Sequence, residues 1–135
     1  MIVLDASAAI ELLLRTPTGN RVEEMIFSTG ESLHAPHLID LEIAQVLRRF
    51  ARADRISSAR GAEALQDLAD MSLNRHHHTL LLTRTWQLRE NLTAYDAVYV
   101  ALAELLEALL LTCDGRMARA TNHRARIELI PMLAN

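Results

Sequence analysis

Strand-length segments alternate with longer stretches of helical periodicity along the whole chain, and this alternation is the strongest constraint on its fold. Residues 2–4, 33–35, 74–78, 108–112 and 127–130 read as strands, with 2–4 and 108–112 the most apolar. Residues 7–14, 21–28, 38–53, a segment starting at Ser57-Ser58, 79–90 and 93–107 read as helices. Leu38, Leu41, Ala44, Val46, Leu47 and Phe50 recur at helical spacing, and Ala62, Leu65, Leu68 and Met71 mark an inner face for the helix begun at Ser57. Pro17-Thr18-Gly19-Asn20 reads as a turn, a short helix is expected from 115 to about 120, and Pro131 ends the last strand. Strands alternating with helices predict an α/β three-layer sandwich around a mostly parallel sheet. With 135 residues and no repeat, low-complexity segment or linker, one domain over 1–135 is expected.

Composition removes several classes of function. Half the residues are apolar, yet no run reaches membrane-spanning length, so no membrane association is expected. The first apolar stretch meets Asp5 at once and has no basic leader, which predicts a mature start and a cytoplasmic protein. Cys113 is the lone cysteine, which rules out an internal disulfide and a cysteine-based zinc site. A net charge of −3 argues against holding nucleic acid by a general basic field. All 14 basic residues are Arg. A GC-rich genome accounts for that bias, but any mechanism needing a catalytic Lys is excluded, and Arg suits bidentate contacts with phosphate.

Four acids sit where a strand hands over to a helix, or just inside a helix: Asp5, Glu42, Asp96 and Asp114. Each has a structural explanation of its own. Asp5 and Asp114 suit helix N-caps, Thr93 with Asp96 resembles a capping box, and Glu42 complements a helix dipole in the first turn after Asp40. Jointly they say more. Open parallel sheets bind ligands in the crevice beyond their strands' carboxyl ends, and carboxylates gathered there repel one another unless cations lie between them. Hard oxygen ligands around an open cavity suit Mg²⁺, with Mn²⁺ as the other candidate, and such a site serves phosphoryl chemistry. The hydroxyls of Ser7 and Thr112 flank these acids and are candidates to hold either a carboxylate or a substrate phosphate, beside plain helix-start and strand roles. Arg116 and Arg119 follow Asp114 and are candidates to clamp a phosphate or to lie on the surface.

Val-Leu-Asp-Ala-Ser-Ala at 3–8 is similar to the opening motif of PIN-domain ribonucleases. Leu-Thr-Ala-Tyr-Asp-Ala-Val-Tyr-Val-Ala-Leu-Ala-Glu at 92–104 resembles their central acidic helix, and Leu-Leu-Thr-Cys-Asp-Gly-Arg-Met-Ala-Arg-Ala at 110–120 their last acidic motif. Glu42 falls where that family carries a helical Glu. The resemblance covers essentially the whole chain, in order, and is nearest to VapC-type toxins of bacterial toxin–antitoxin pairs. It implies a metal-dependent endoribonuclease with Asp5, Glu42, Asp96 and Asp114 as metal ligands. It also implies a cognate VapB-type antitoxin whose tail occupies the cleft, and a homodimer. Many relatives carry a further acid or Asn beyond the last Asp; here Gly115, Arg116 and Met117 follow it.

Other features weigh less. His76-His77-His78 invites a metal reading, but neighbours on a strand point to opposite faces. Arg48, Arg49, Arg52 and Arg55 form a solvated helix face, a guide for RNA phosphates or a contact for an acidic partner. Tyr95 reads as packing or cleft lining. Trp86 and Leu88, with the helix of Val22 and Met25, read as core or as a partner surface. A receiver domain and a haloacid-dehalogenase-like phosphatase both need a late Lys, and the latter also needs Asp-x-Asp where Asp5-Ala6-Ser7 stands. The alternatives still open are a catalytically inactive PIN-like binding or regulatory subunit and a nuclease directed at DNA.

Overall fold

Ile2, Val3 and Leu4 are buried on both faces, and such a continuous apolar run belongs at the centre of a covered parallel sheet. The computed structural model, which describes residues 1–134, places them there. Five strands, β1 (Ile2–Leu4), β2 (Leu33–Pro36), β3 (Leu73–His76), β4 (Leu109–Thr112) and β5 (Arg126–Leu129), pair wholly parallel in the order β3-β2-β1-β4-β5. Ile2 lies opposite Leu33 on one side and Leu109 on the other.

Helices α1 (Ala6–Leu13) and α2 (Pro17–Thr29) connect β1 to β2, and α3 (Leu38–Arg52) and α4 (Ser58–Asp70) connect β2 to β3. After β3 come a 3-10 turn (Thr79–Leu81), α5 (Leu82–Gln87) and α6 (Ala94–Leu106), while α7 (Gly115–Ala118) separates β4 from β5. The sheet thus grows outward from β1 to β3, then returns to the other side of β1 with β4. That reversal opens a crevice at the carboxyl ends of β1 and β4. Buried side chains from these helices and strands join one apolar cluster. No helix among the described residues is long and apolar enough to cross a membrane.

The α/β sandwich follows the expectation, while several details do not. Residues 17–20 form the first turn of α2, not a separate turn: Thr16 caps the helix by accepting from the Gly19 N–H at 2.9 Å, and Pro17 sits where its missing N–H costs nothing. Helix α4 buries Gly61, Ala64 and Leu68, leaving Ala62 and Leu65 exposed. Both sets obey the helical repeat, and the smaller residues let α4 approach its neighbours. Strand β3 stops at His76, and the helical stretch from Thr79 breaks into the 3-10 turn and α5. The final strand runs one residue earlier than expected at each end.

Candidate functional site

Asp5 follows β1 directly and caps α1, accepting from the Ala8 N–H at 3.0 Å. The Ser7 hydroxyl donates to the same carboxylate at 2.8 Å, and the Thr112 hydroxyl donates at 2.7 Å from the end of β4. Both hydroxyls also accept from the chain beyond β4: Ser7 from the Cys113 N–H at 2.9 Å, Thr112 from the Asp114 N–H at 2.9 Å. Together they tie the two strand ends together across the switch point and hold Asp5 in one rotamer. Thr112 is wholly buried and its hydroxyl is turned to the Asp5 carboxylate, the first of the two roles open to it from the sequence.

The other acids arrive on separate elements. Asp114 caps α7 through the Arg116 N–H at 2.8 Å, with the exposed Arg116 guanidinium 3.6 Å away. Asp96 lies in the first turn of α6, whose cap Thr93 accepts its N–H at 3.2 Å. Glu42 lies on α3, whose first turn is anchored to β3 by a bidentate Asp40–Arg75 pair at 2.8–3.0 Å. The Tyr99 hydroxyl donates to Glu42 at 2.6 Å. Tyr99 is buried, one turn beyond Asp96 on α6, and was missed in the sequence. Its signal was a hydroxyl on an otherwise apolar helix face, aligned with an acid.

Asp5, Glu42, Asp96 and Asp114 all line one cleft of about 580 Å³, together with Ser7, Tyr99 and Arg116. Val46, Arg49, Phe50 and Met132 form other parts of its wall. Burial raises the pKa of Asp5, against the lowering effect of its donors, and the charge of Asp114 adds to the rise. Burial likewise raises Glu42, opposed by the Tyr99 hydrogen bond and reinforced by Asp96 and Asp5. Asp96 is raised by burial and then by Asp114, with Thr93 and Arg116 opposing. Burial also pushes the Cys113 thiol up to about 12, helped by Asp5 and Glu11, which makes it a poor nucleophile.

Among the described residues, no three His, Cys, Asp or Glu side chains are drawn together into a ready-made metal cage. The donor chemistry nevertheless fits a hard divalent cation: carboxylate oxygens, mutually repelled, around a space large enough for Mg²⁺ to keep several waters. The histidine run contributes nothing to this cleft. His76 shares a hydrogen bond with His34 at 2.8 Å, the far nitrogen of His34 meets Ser32 at 2.8 Å, and His77 lies beside His37 with ring centroids 5.0 Å apart. Leu88 and Val22 belong to the core, whereas Trp86 and Tyr95 are exposed and away from the cleft lining. Arg119 is exposed and also outside that lining.

The PIN domain family matches residues 2–122. VapC ribonuclease Mb0985 of Mycobacterium bovis is 43% identical over 131 residues, covering 97% of this chain and 99% of that protein. Ribonuclease VapC12 of Mycobacterium tuberculosis is 41% identical over 130 residues, covering 96% and 99%. Among solved structures, PAE2754 from Pyrobaculum aerophilum superposes with a TM-score of 0.68 at 24% identity, covering 87% of this chain and 83% of that one. VapBC2 from Rickettsia felis, bound to a DNA fragment from its promoter, gives 0.67 at 12% identity, covering 96% and 98%. These two likenesses concern the fold.

Proposed function

The chain belongs to the PIN domain family, and we propose that it is a metal-dependent endoribonuclease of the VapC kind, hydrolysing RNA phosphodiesters. The observation that carries this reading is the meeting of four carboxylates, from four separate elements, in one cleft at the switch point of the sheet. Its near full-length likeness to named ribonucleases supports it. Asp5, Glu42, Asp96 and Asp114 would hold Mg²⁺ or Mn²⁺. When bound, the cation would activate water and offset charge on the phosphodiester.

The chain's own residues have distinct tasks in this reading. Ser7, Thr112 and the Ala8 N–H keep Asp5 from turning away from the cleft. Tyr99 does the same for Glu42 through one short bond. Arg116, exposed at the rim, offers a guanidinium fork to a substrate phosphate. A VapB-type antitoxin is the expected partner, in keeping with the name of a VapBC structural relative, and in this reading it would silence the enzyme by occupying the cleft. We further propose a cytoplasmic homodimer, which light scattering on the purified protein would test.

The decisive experiment incubates partner-free protein with total bacterial RNA and Mg²⁺ or Mn²⁺, and maps the new ends. Discrete cuts should appear, vanish with chelator, and fall at least about a hundredfold in Asp96→Asn, the scale for losing one charge-stabilising group. Cutting at the parent rate by folded Asp96→Asn would remove that residue from the site. Single-stranded DNA in a parallel arm separates an RNA-directed from a DNA-directed enzyme.

A further inference from the structure

One wall of the cleft carries groups that the proposed hydrolysis does not use. Glu42, Val46, Arg49 and Phe50 share one face of α3, and all line the cleft. That face runs from the carboxylates to an aromatic ring ~12 Å further along the helix. Phe50 is half-buried, and the Arg55 guanidinium stands over its ring at 4.1 Å from the centroid. The chain turns back to put it there: Asp54 adopts a left-handed φ of 56°, and the Arg55 N–H returns to the Phe50 carbonyl at 2.9 Å.

The arginines of this region are not neutralised by acids. Arg60, Arg75 and Arg84 are engaged with acids, but Arg48, Arg49, Arg52 and Arg55 are exposed and make no ion pair among the described residues. Of these, Arg49 lines the cleft itself, with Arg116 as the other arginine of its wall, opposite carboxylates that repel one another. A polyanion approaching those carboxylates needs such a counterweight. A ring backed by a guanidinium adds what an acidic peptide would not use, a flat platform for a base.

We infer that the RNA strand leaving the hydrolytic site runs along α3, with a phosphate on Arg49 and an unpaired base stacked on the Phe50–Arg55 platform. The inference rests on the nuclease reading and adds to it a positioning device for one nucleotide beside the cut. Phe50 and Arg55 act through the strand's placement and do not touch the reacting atoms.

The test uses the full chain and a single-stranded RNA oligonucleotide containing one mapped cut. Phe50→Leu should raise KM about tenfold and leave kcat within about twofold, in the range measured for losing one base stack. Phe50→Tyr should restore the parent KM. An abasic sugar at one position beside the cut should cost the parent a similar factor and cost Phe50→Leu nothing, a pattern that loose packing would not produce. Arg49→Gln should lower the slope of log Kd against log salt by about 0.7. An equal abasic penalty in parent and Phe50→Leu overturns the inference and leaves the nuclease reading intact. Should Phe50→Leu fail to fold, Arg55→Gln decides, because that side chain is exposed; an unchanged KM in it overturns the inference too. A parent that neither binds a random single-stranded RNA pool by fluorescence anisotropy nor cuts total RNA overturns both readings.

Discussion

Asp5 receives three donors and Glu42 one, yet both hold a proton more tightly than an ordinary carboxylate, because burial and neighbouring charge outweigh the hydrogen bonds. Asp96 shares that direction. A carboxylate with a raised folded pKa contributes stability that is fully present below its unfolded value and lost as pH rises through the folded value. Charging these three groups as pH rises is therefore disfavoured in the metal-free fold, and a divalent cation would relieve that cost. Saturating Mg²⁺ should raise Tm by about 5–10 °C over chelator at pH 7.5. At pH 5, where protons already do part of that work, the gain should fall by half or more. His34, lowered by burial and then by His76 and the N-terminus, has the opposite sign, but its contribution cancels when each pH is compared with and without Mg²⁺. Calorimetry showing equal gains at both pH values would contradict the linkage. The acids were legible because each stands beside a local marker, a strand end or a helix start. Tyr99 was hidden because its partner Glu42 is remote in sequence, and no local pattern joins them.

Helices α1 and α2 show how element-scale reading goes astray. Pro-Thr-Gly-Asn has the composition of a turn, but with Thr16 before it the same residues become a capped helix start. Gly19 is needed there for close approach: a Cβ would overlap the Glu11 carbonyl of α1. The obstacle is backbone, so relief requires moving a helix that also carries Ile10 and Glu11 into the cleft. Gly19→Ala should cost about 2–3 kcal/mol in urea unfolding. Gly61→Ala on α4 is the contrasting case, since its Cβ would meet the Ile56 Cδ1 at an ordinary 3.6 Å. Better helix propensity should then stabilise by about 0.5–1 kcal/mol. Equal effects at the two glycines would mean that propensity, not the α1–α2 contact, governs Gly19. The broken helix after β3 was equally hard to foresee, because long-range bonds shape it. Arg84 of α5 reaches the buried Glu104 of α6 at 2.7 and 3.0 Å, and nothing in residues 79–90 reveals that partner.

At the scale of the molecule, strand order was the least legible feature, because pairing is non-local while periodicity is local. That order also decides how the protein should unfold. β1 pairs with β2 on one side and β4 on the other, so the elements before β3 and those after it share one central strand. Neither half retains its core without the other, and we propose one folding unit over the chain on that ground. Its least secure margin is α5, which buries a Thr85 hydroxyl that meets no hydrogen-bond partner among the described residues and leaves Trp86 67% exposed. Trp86 is the lone tryptophan, so fluorescence reports on that margin while far-UV circular dichroism reports on every helix. The two urea transitions should coincide, with one m-value in the range of about 1–3 kcal/mol/M expected for a domain of this size. A fluorescence midpoint well below the dichroism midpoint would show α5 melting separately. The Arg84–Glu104 tie would then be too weak to couple it to the shared core.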